Sequence, residues 1–476
     1  MLNKQETYSH IDQNINHHIT TIQEFIKQPS ISQTGEGIEE SSEMVQKYLS
    51  DLGFDEIEAV KMGSEHHPIV WGKLDVGAKK TMLMYTMYDV MPVEGQNWSV
   101  PPFEGAIVER EPFPKVLMGR GATNSKGPMM ALINTLDSII KTNKESPINI
   151  IFISEGEEER LSVALNKFIK KEHKKLKSDA LFFPGREITL DGLSQIRTGS
   201  EGILYVVLET SGARWGRGPT EFDIHGRMKM HIDSPAWRHI EMLSTLISNN
   251  GNKIEIEGWY DNIMPPTKED LALIDKMLEH YELETEKKQN KVKVFMNDEE
   301  GQQVLVNKFF NSIMNLDGIY GGLISPGAGT QLPHKVTSKH SIRLVPEQEP
   351  EEILMKIKKH LEINGYKDVN VQALGGYTWS KSDFNSGLAK SVIKTYNEFN
   401  AKYILHPSSG ALPLSHFSRK PLNLPCVVGG LGHGGRAHSP DEYLVIEGIK
   451  AKDGIIHGLP GLEKSYASII YNFAEI

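Results

Sequence analysis

The chain has 476 residues, 39% of them hydrophobic and 24% charged, with a formal net charge of -10. That length exceeds one ordinary core and gives two domains as the prior, and the composition is that of a globular rather than a disordered or fibrous protein. The acidic balance excludes nucleic acid as the main partner, because phosphate binding needs concentrated Lys and Arg.

In chain order, the N-terminal segment lacks the apolar core of a signal peptide. No later stretch is long enough to span a bilayer, so a cytoplasmic protein without membrane contact is expected. Ile11, Ile15, Ile19, Ile22, Phe25 and Ile26 recur at helical spacing and predict an amphipathic helix over 10–27; His10, His17 and His18 read as exposed residues on it. Short apolar runs follow at 81–86, 148–153, 180–183, 204–208 and 426–428, with helical patterns at 128–141 and 161–171 between several of them. The basic run 170–175 overlaps the second of these patterns and reads as a solvated helix face. Alternating strands and helices predict an α/β layer with a mostly parallel sheet. Such sheets bind ligands beyond the carboxyl ends of their strands, which directs attention to 87–92, 155–159, 184–187 and 429–438. The single cysteine, Cys426, lies in the apolar run LPCVV (424–428) and reads as a buried structural thiol in a reducing compartment.

The middle of the chain reads differently. From 210 to 380 come a Gly/Arg-rich loop, a helix over 235–248, a charged helical stretch over 268–290, a β-rich segment ending in SIRLV (341–345) and a helix over 350–363. This pattern predicts an inserted α+β unit at 210–380, with one domain formed by 1–209 and 381–476.

Four motifs, in order, organise the polar stretches: YTMYDVMP (85–92), GRGATNSKG (119–127), EGEEE (155–159) and AHSPDEY (437–443). RTGSEG (197–202), DIH (223–225), IRLVPEQ (342–348) and SGALP (409–413) add to them. Together they resemble the M20 family of metallopeptidases and deacylases, in particular its dipeptidase-like branch with carnosinase, succinyl-diaminopimelate desuccinylase and acetylornithine deacetylase relatives. The resemblance implies a zinc-exopeptidase-like catalytic domain with an inserted lid or dimerisation domain, a homodimer, and a small carboxylate-bearing substrate such as a dipeptide or an N-acyl amino acid.

Amide hydrolysis at neutral pH needs an activated water and a polarised carbonyl, which paired metal ions and a free carboxylate supply. The resemblance places the family's first His on Met87 and its orienting Asp on Asp89. The bridging carboxylate falls on Asn124, the general base on Glu158 and a metal ligand on Glu159, with the register open by one within 157–159. The Asp expected after 180–183 falls on Gly185, and the last His is His438. The first metal position, at 87, 124 and 185, has lost its ligands, because a thioether is a soft neutral donor, an amide is uncharged and glycine has no side chain. The second, at Asn124, Glu159 and His438, leaves room for one divalent ion, Zn or Mn; a metal-free site is the other expectation.

The resemblance further assigns His225 to oxyanion stabilisation across a dimer interface, with Gly226-Arg227 in place of the family's Ser-Gly. Arg343, Ser409 and Gly410 are assigned to substrate binding, and a guanidinium suits a carboxylate. His433, in the glycine-rich loop GGLGHGGR (429–436), reads either as a replacement ligand or base or as a solvent-facing histidine. Asp441 stands where relatives often carry Asn. Three readings follow: an amide hydrolase with a one-metal or metal-free site, a catalytically inactive binding protein, or an altered chemistry such as acyl transfer or elimination.

Overall fold

The computed structural model describes residues 3–281, 283–406, 408 and 410–476. It divides into two compact units: Met1–Gly199 with Lys381–Ser409 and His416–Ile476, and Ser200–Ser380 with Gly410–Ser415.

The first unit is built on an eight-stranded sheet in the order Glu56–Val60, Ile69–Leu74, Asn149–Glu155, Thr81–Met87, Ala180–Pro184, Cys426–Gly429, Ser194–Arg197 and Tyr403–His406. Its centre is parallel: Thr81–Met87 runs alongside both Asn149–Glu155 and Ala180–Pro184, and Cys426–Gly429 continues the set. Antiparallel pairs occur on either side of that centre. The near-continuous apolar runs of the central strands suit burial on both faces, and every residue of Asn149–Glu155 is buried. Helices Lys4–Lys27, Lys126–Asn143 and Leu459–Ala474 pack on one another as part of the same core. Because Met87 lies opposite Glu155 in the parallel register, the segments leaving these strands emerge side by side.

A second sheet, in the order Gly434–Gly435, Tyr443–Glu447, Phe113–Met118 and Ala106–Arg110, pairs Tyr443 with Met118. Its register places the 119–126 loop beside the 436–442 loop, and Gly119 N donates to Glu442 O at 2.9 Å.

The other unit has a four-stranded antiparallel sheet in the order Ile313–Tyr320, Lys335–Leu344, Gly202–Ser211 and Asn370–Tyr377. Leu204, Val206 and Ile342 on its inner face pack with Met242 of helix Pro235–Leu246 and Ile357 of helix Pro350–Ile363.

The structure moves several expectations. The second unit begins at Ser200 rather than at 210, because Gly202–Ser211 pairs on both edges with strands of that unit. It also takes in Gly410. The first helix starts at Lys4, capped by the Asn3 side chain accepting from Glu6 N. The charged stretch splits into helices Lys268–Leu278 and Leu283–Asn290. His18 is buried rather than exposed, and its Nδ1 hydrogen-bonds Glu463 Oε2 at 2.7 Å between the first and last helices. Cys426 is buried, as expected. Among the described residues no helix is long and apolar enough to cross a membrane.

Candidate active site

The motif residues gather beyond the carboxyl ends of the central strands. Met87 ends its strand with the side chain buried. Two residues on, buried Asp89 accepts from Glu158 N at 3.2 Å and Glu159 N at 3.0 Å, so this carboxylate fixes the turn that follows Asn149–Glu155. Burial and the charge of Glu159 push the Asp89 carboxyl up to about 7. Buried Lys126 donates to Phe25 O and Gln28 O, and burial pushes its ammonium down to about 7 against the pull of Asp89.

Within EGEEE each carboxylate has a different environment. Glu155 is fully buried and accepts from Tyr85 OH at 2.5 Å and Ser162 Oγ at 2.8 Å; burial pushes it up to about 8. Glu157 is buried. Its oxygens meet His66 Nδ1 at 3.0 Å, His67 N at 3.0 Å and Ala164 N at 3.3 Å. Glu158 makes no side-chain hydrogen bond among the described residues; burial, then the charges of Glu159, Asp89 and Glu155, push its carboxyl well above the ordinary range. Glu159 Oε1 lies 2.9 Å from His438 Nε2 and accepts from Asn124 Nδ2 at 2.9 Å. Asn124 Nδ2 is also 3.0 Å from His438 Nε2. The hydrogen bond to Glu159 raises the His438 imidazole above its usual value.

The Asn124 loop is pinned from beneath. Glu442 Oε1 accepts from Thr123 N at 3.1 Å and Asn124 N at 2.8 Å, while its Oε2 pairs with Arg120 Nη1 at 2.7 Å. Both partners of that ion pair are buried. Asp441, next in the loop, accepts from Ser99 N and Oγ at 2.8 and 2.9 Å.

The donor set decides how a metal ion fits. At the first position Met87 offers a buried thioether and Gly185 offers nothing. A Cβ built at 185 would meet Glu187 Oε1 at 2.6 Å and Val428 at 2.9 Å, and Glu187 is itself held by Arg197 at 2.8 Å. The space where a ligand side chain would start is therefore filled. At the second position one carboxylate, one imidazole and one amide lie within 3.0 Å of one another. Among the described residues no three His, Cys, Asp or Glu side chains form a metal-holding group.

Asp89, Asn124, Glu158, Glu159 and His438 are thus brought together in the first unit. His225, Arg343 and Gly410 belong to the second, and Ser409 lies outside the described residues. His225 is exposed, with Nδ1 accepting from Arg227 N at 3.1 Å. His433 is not solvent-facing: it is buried, shares a hydrogen bond with Ile188 O at 2.6 Å and packs on Phe113. Sequence reasoning missed Glu155, Glu442 and Arg120, although all three stand inside the motifs, and it also missed Glu187, beside Gly185.

Glu155 gives a pH prediction. Its carboxyl rises from 4.5 to about 8 on folding. Across that window the native protein holds a proton that the unfolded chain has released, so stability falls as pH rises through it. Replacing Glu155 with Gln removes this slope. Thermal melts from about pH 5 to about pH 9 should therefore show the variant gaining on the wild type as pH increases, and a constant difference would rule the protonated form out.

The comparisons with known proteins agree with this architecture. The family model "Peptidase family M20/M25/M40" matches residues 83–457, and the chain belongs to that family. It is 26% identical over 442 residues to the Cys-Gly metallodipeptidase DUG1 of Candida albicans, covering 86% of this chain and 87% of that protein. It is 29% identical to human Beta-Ala-His dipeptidase over 69% of this chain and 64% of that one. Among solved structures, the M20 family metallo-carboxypeptidase Sso-CP2 from Sulfolobus solfataricus superposes with a TM-score of 0.84 at 29% identity, over 96% of this chain and 99% of that one. Human carnosine dipeptidase 1 gives 0.81 at 22% identity, with both chains fully covered.

Proposed function

We propose that the protein hydrolyses the amide bond of small carboxylate-bearing substrates, dipeptides first among them, at a site that holds one divalent ion, Zn or Mn. The observation that carries this reading is Glu158: a half-buried carboxyl with no hydrogen bond of its own among the described residues, next to the Glu159–His438–Asn124 cluster. Glu159, His438 and the Asn124 amide oxygen, after a flip of that amide, would hold the ion; when bound it polarises the substrate carbonyl and acidifies a water. Glu158 is the general base that takes a proton from water and returns it to the leaving nitrogen, a role that a raised carboxyl suits in both directions. Asp89 positions Glu158 and Glu159 through their backbone amides.

The carboxylate end of the substrate is assigned to Arg343, with Ser409 and Gly410 as further binding residues. His225 is assigned to the oxyanion in a homodimer through the second unit, whose exposed Phe222, Met230 and Ile324 suit burial against a second copy. The relatives named dipeptidases support the substrate class, and the single buried thiol of Cys426 supports a reducing, cytoplasmic setting. No feature of the site favours a purely binding role, acyl transfer or elimination over hydrolysis.

The test is hydrolysis of a dipeptide panel by chelator-treated protein, with and without added Zn²⁺ or Mn²⁺. Metal-dependent release of amino acids is expected. Inertness under all of these conditions would overturn the proposal.

A further inference from the structure

Arg343 has an unusual partner. It sits on strand Lys335–Leu344 directly between Ile203 and Ile313 of the two neighbouring strands. Glu201, immediately before the strand Gly202–Ser211, brings its Oε2 to 4.0 Å from Arg343 Nη1. That is too long for a hydrogen bond, and neither side chain makes one elsewhere among the described residues. Two Arg–Glu pairs of this chain close fully, Arg197–Glu187 at 2.8 Å and Arg120–Glu442 at 2.7 Å, while Arg160–Glu157 stands at 3.4 Å.

Both open partners are only partly exposed, at 36% for Arg343 and 22% for Glu201. Burial raises the Glu201 carboxyl, against the lowering pull of Arg343 and Lys308. Lys308 does not fill the gap either, since it donates to Tyr281 OH at 2.6 Å and pairs with Glu286. A half-buried carboxylate without a donor is costly, and a ligand that brings a donor removes the cost.

We propose that Glu201 is a specificity-determining residue: with the ligand carboxylate on Arg343, it selects a ligand that carries a cationic group a few ångströms from that carboxylate, in the same residue. The inference rests on the assignment of a substrate carboxylate to Arg343. A neutral side chain would leave Glu201 unpartnered, and an anionic one would face it with like charge.

Three simple carboxylates without an α-amine, which cannot be cleaved, separate the possibilities: 4-aminobutyrate, pentanoate of the same length, and succinate. Calorimetric titration of the purified protein should show 4-aminobutyrate binding about tenfold more tightly than pentanoate, with succinate weakest. Glu201→Gln should bring 4-aminobutyrate and pentanoate to equal affinity with a melting temperature no lower than that of the wild type, and Arg343→Ala should weaken all three. An unchanged ranking in Glu201→Gln would overturn the role of Glu201 while leaving Arg343 standing. Unchanged affinities in Arg343→Ala would overturn the carboxylate assignment itself, and no binding of any of the three would overturn both.

Discussion

Glu158→Gln is expected to lower the rate of dipeptide hydrolysis by about 10²–10⁴-fold, the contribution of a positioned general base, with KM little changed. The substitution keeps the shape and removes only the group that moves the proton. Among the described residues the Glu158 side chain accepts no hydrogen bond, and it is half-buried beside the charges of Glu159, Asp89 and Glu155. Deleting its ionisable group therefore removes mutual repulsion, and the melting temperature should hold or rise. Glu157→Gln is the matched control. That side chain anchors His66, His67 N and Ala164 N, so its loss should be read in stability. If the two variants exchanged these phenotypes, the base would be Glu157.

Glu442→Gln should be the most damaging single substitution for stability at the site. Glu442 and Arg120 are both buried and 2.7 Å apart. Removing the charge of one strands the other in a medium that solvates it poorly, at a cost of about 3–5 kcal/mol. The guanidinium has other contacts, Gln96 Oε1 at 2.8 Å and the Trp98 ring at 5.0 Å, but neither is anionic. Glu442 also receives Thr123 N and Asn124 N, so the loop that presents Asn124 should loosen. Urea unfolding should show a lower midpoint, and activity measured where the variant is still folded should fall as well. A midpoint equal to that of the wild type would mean that Arg120 is adequately solvated without its partner.

Much of the architecture was legible in the sequence because it is written in local signals. Fully apolar runs ending in polar stretches marked the central strands, and parallel pairing then obliges their carboxyl ends to converge. The order of the motifs identified the family. What sequence could not supply depends on partners far along the chain. Within EGEEE, Glu157 is held by His66, which reaches it from before the strand Thr81–Met87. His18 reads as a surface histidine until the last helix brings Glu463 to it. The boundary at Ser200 follows from the pairing of Gly202–Ser211 with strands more than a hundred residues later. At 185 the sequence shows a glycine but not that Glu187 fills the space beside it.

The central claim is that these residues hold one ion and not two. The metal content of the protein, purified without chelator and dialysed against excess Zn²⁺ or Mn²⁺, tests it most directly. Met87, the filled space at Gly185 and the Glu159–His438–Asn124 cluster predict about one tightly held equivalent per chain, lost in His438→Ala. Two tightly held equivalents per chain would contradict the account.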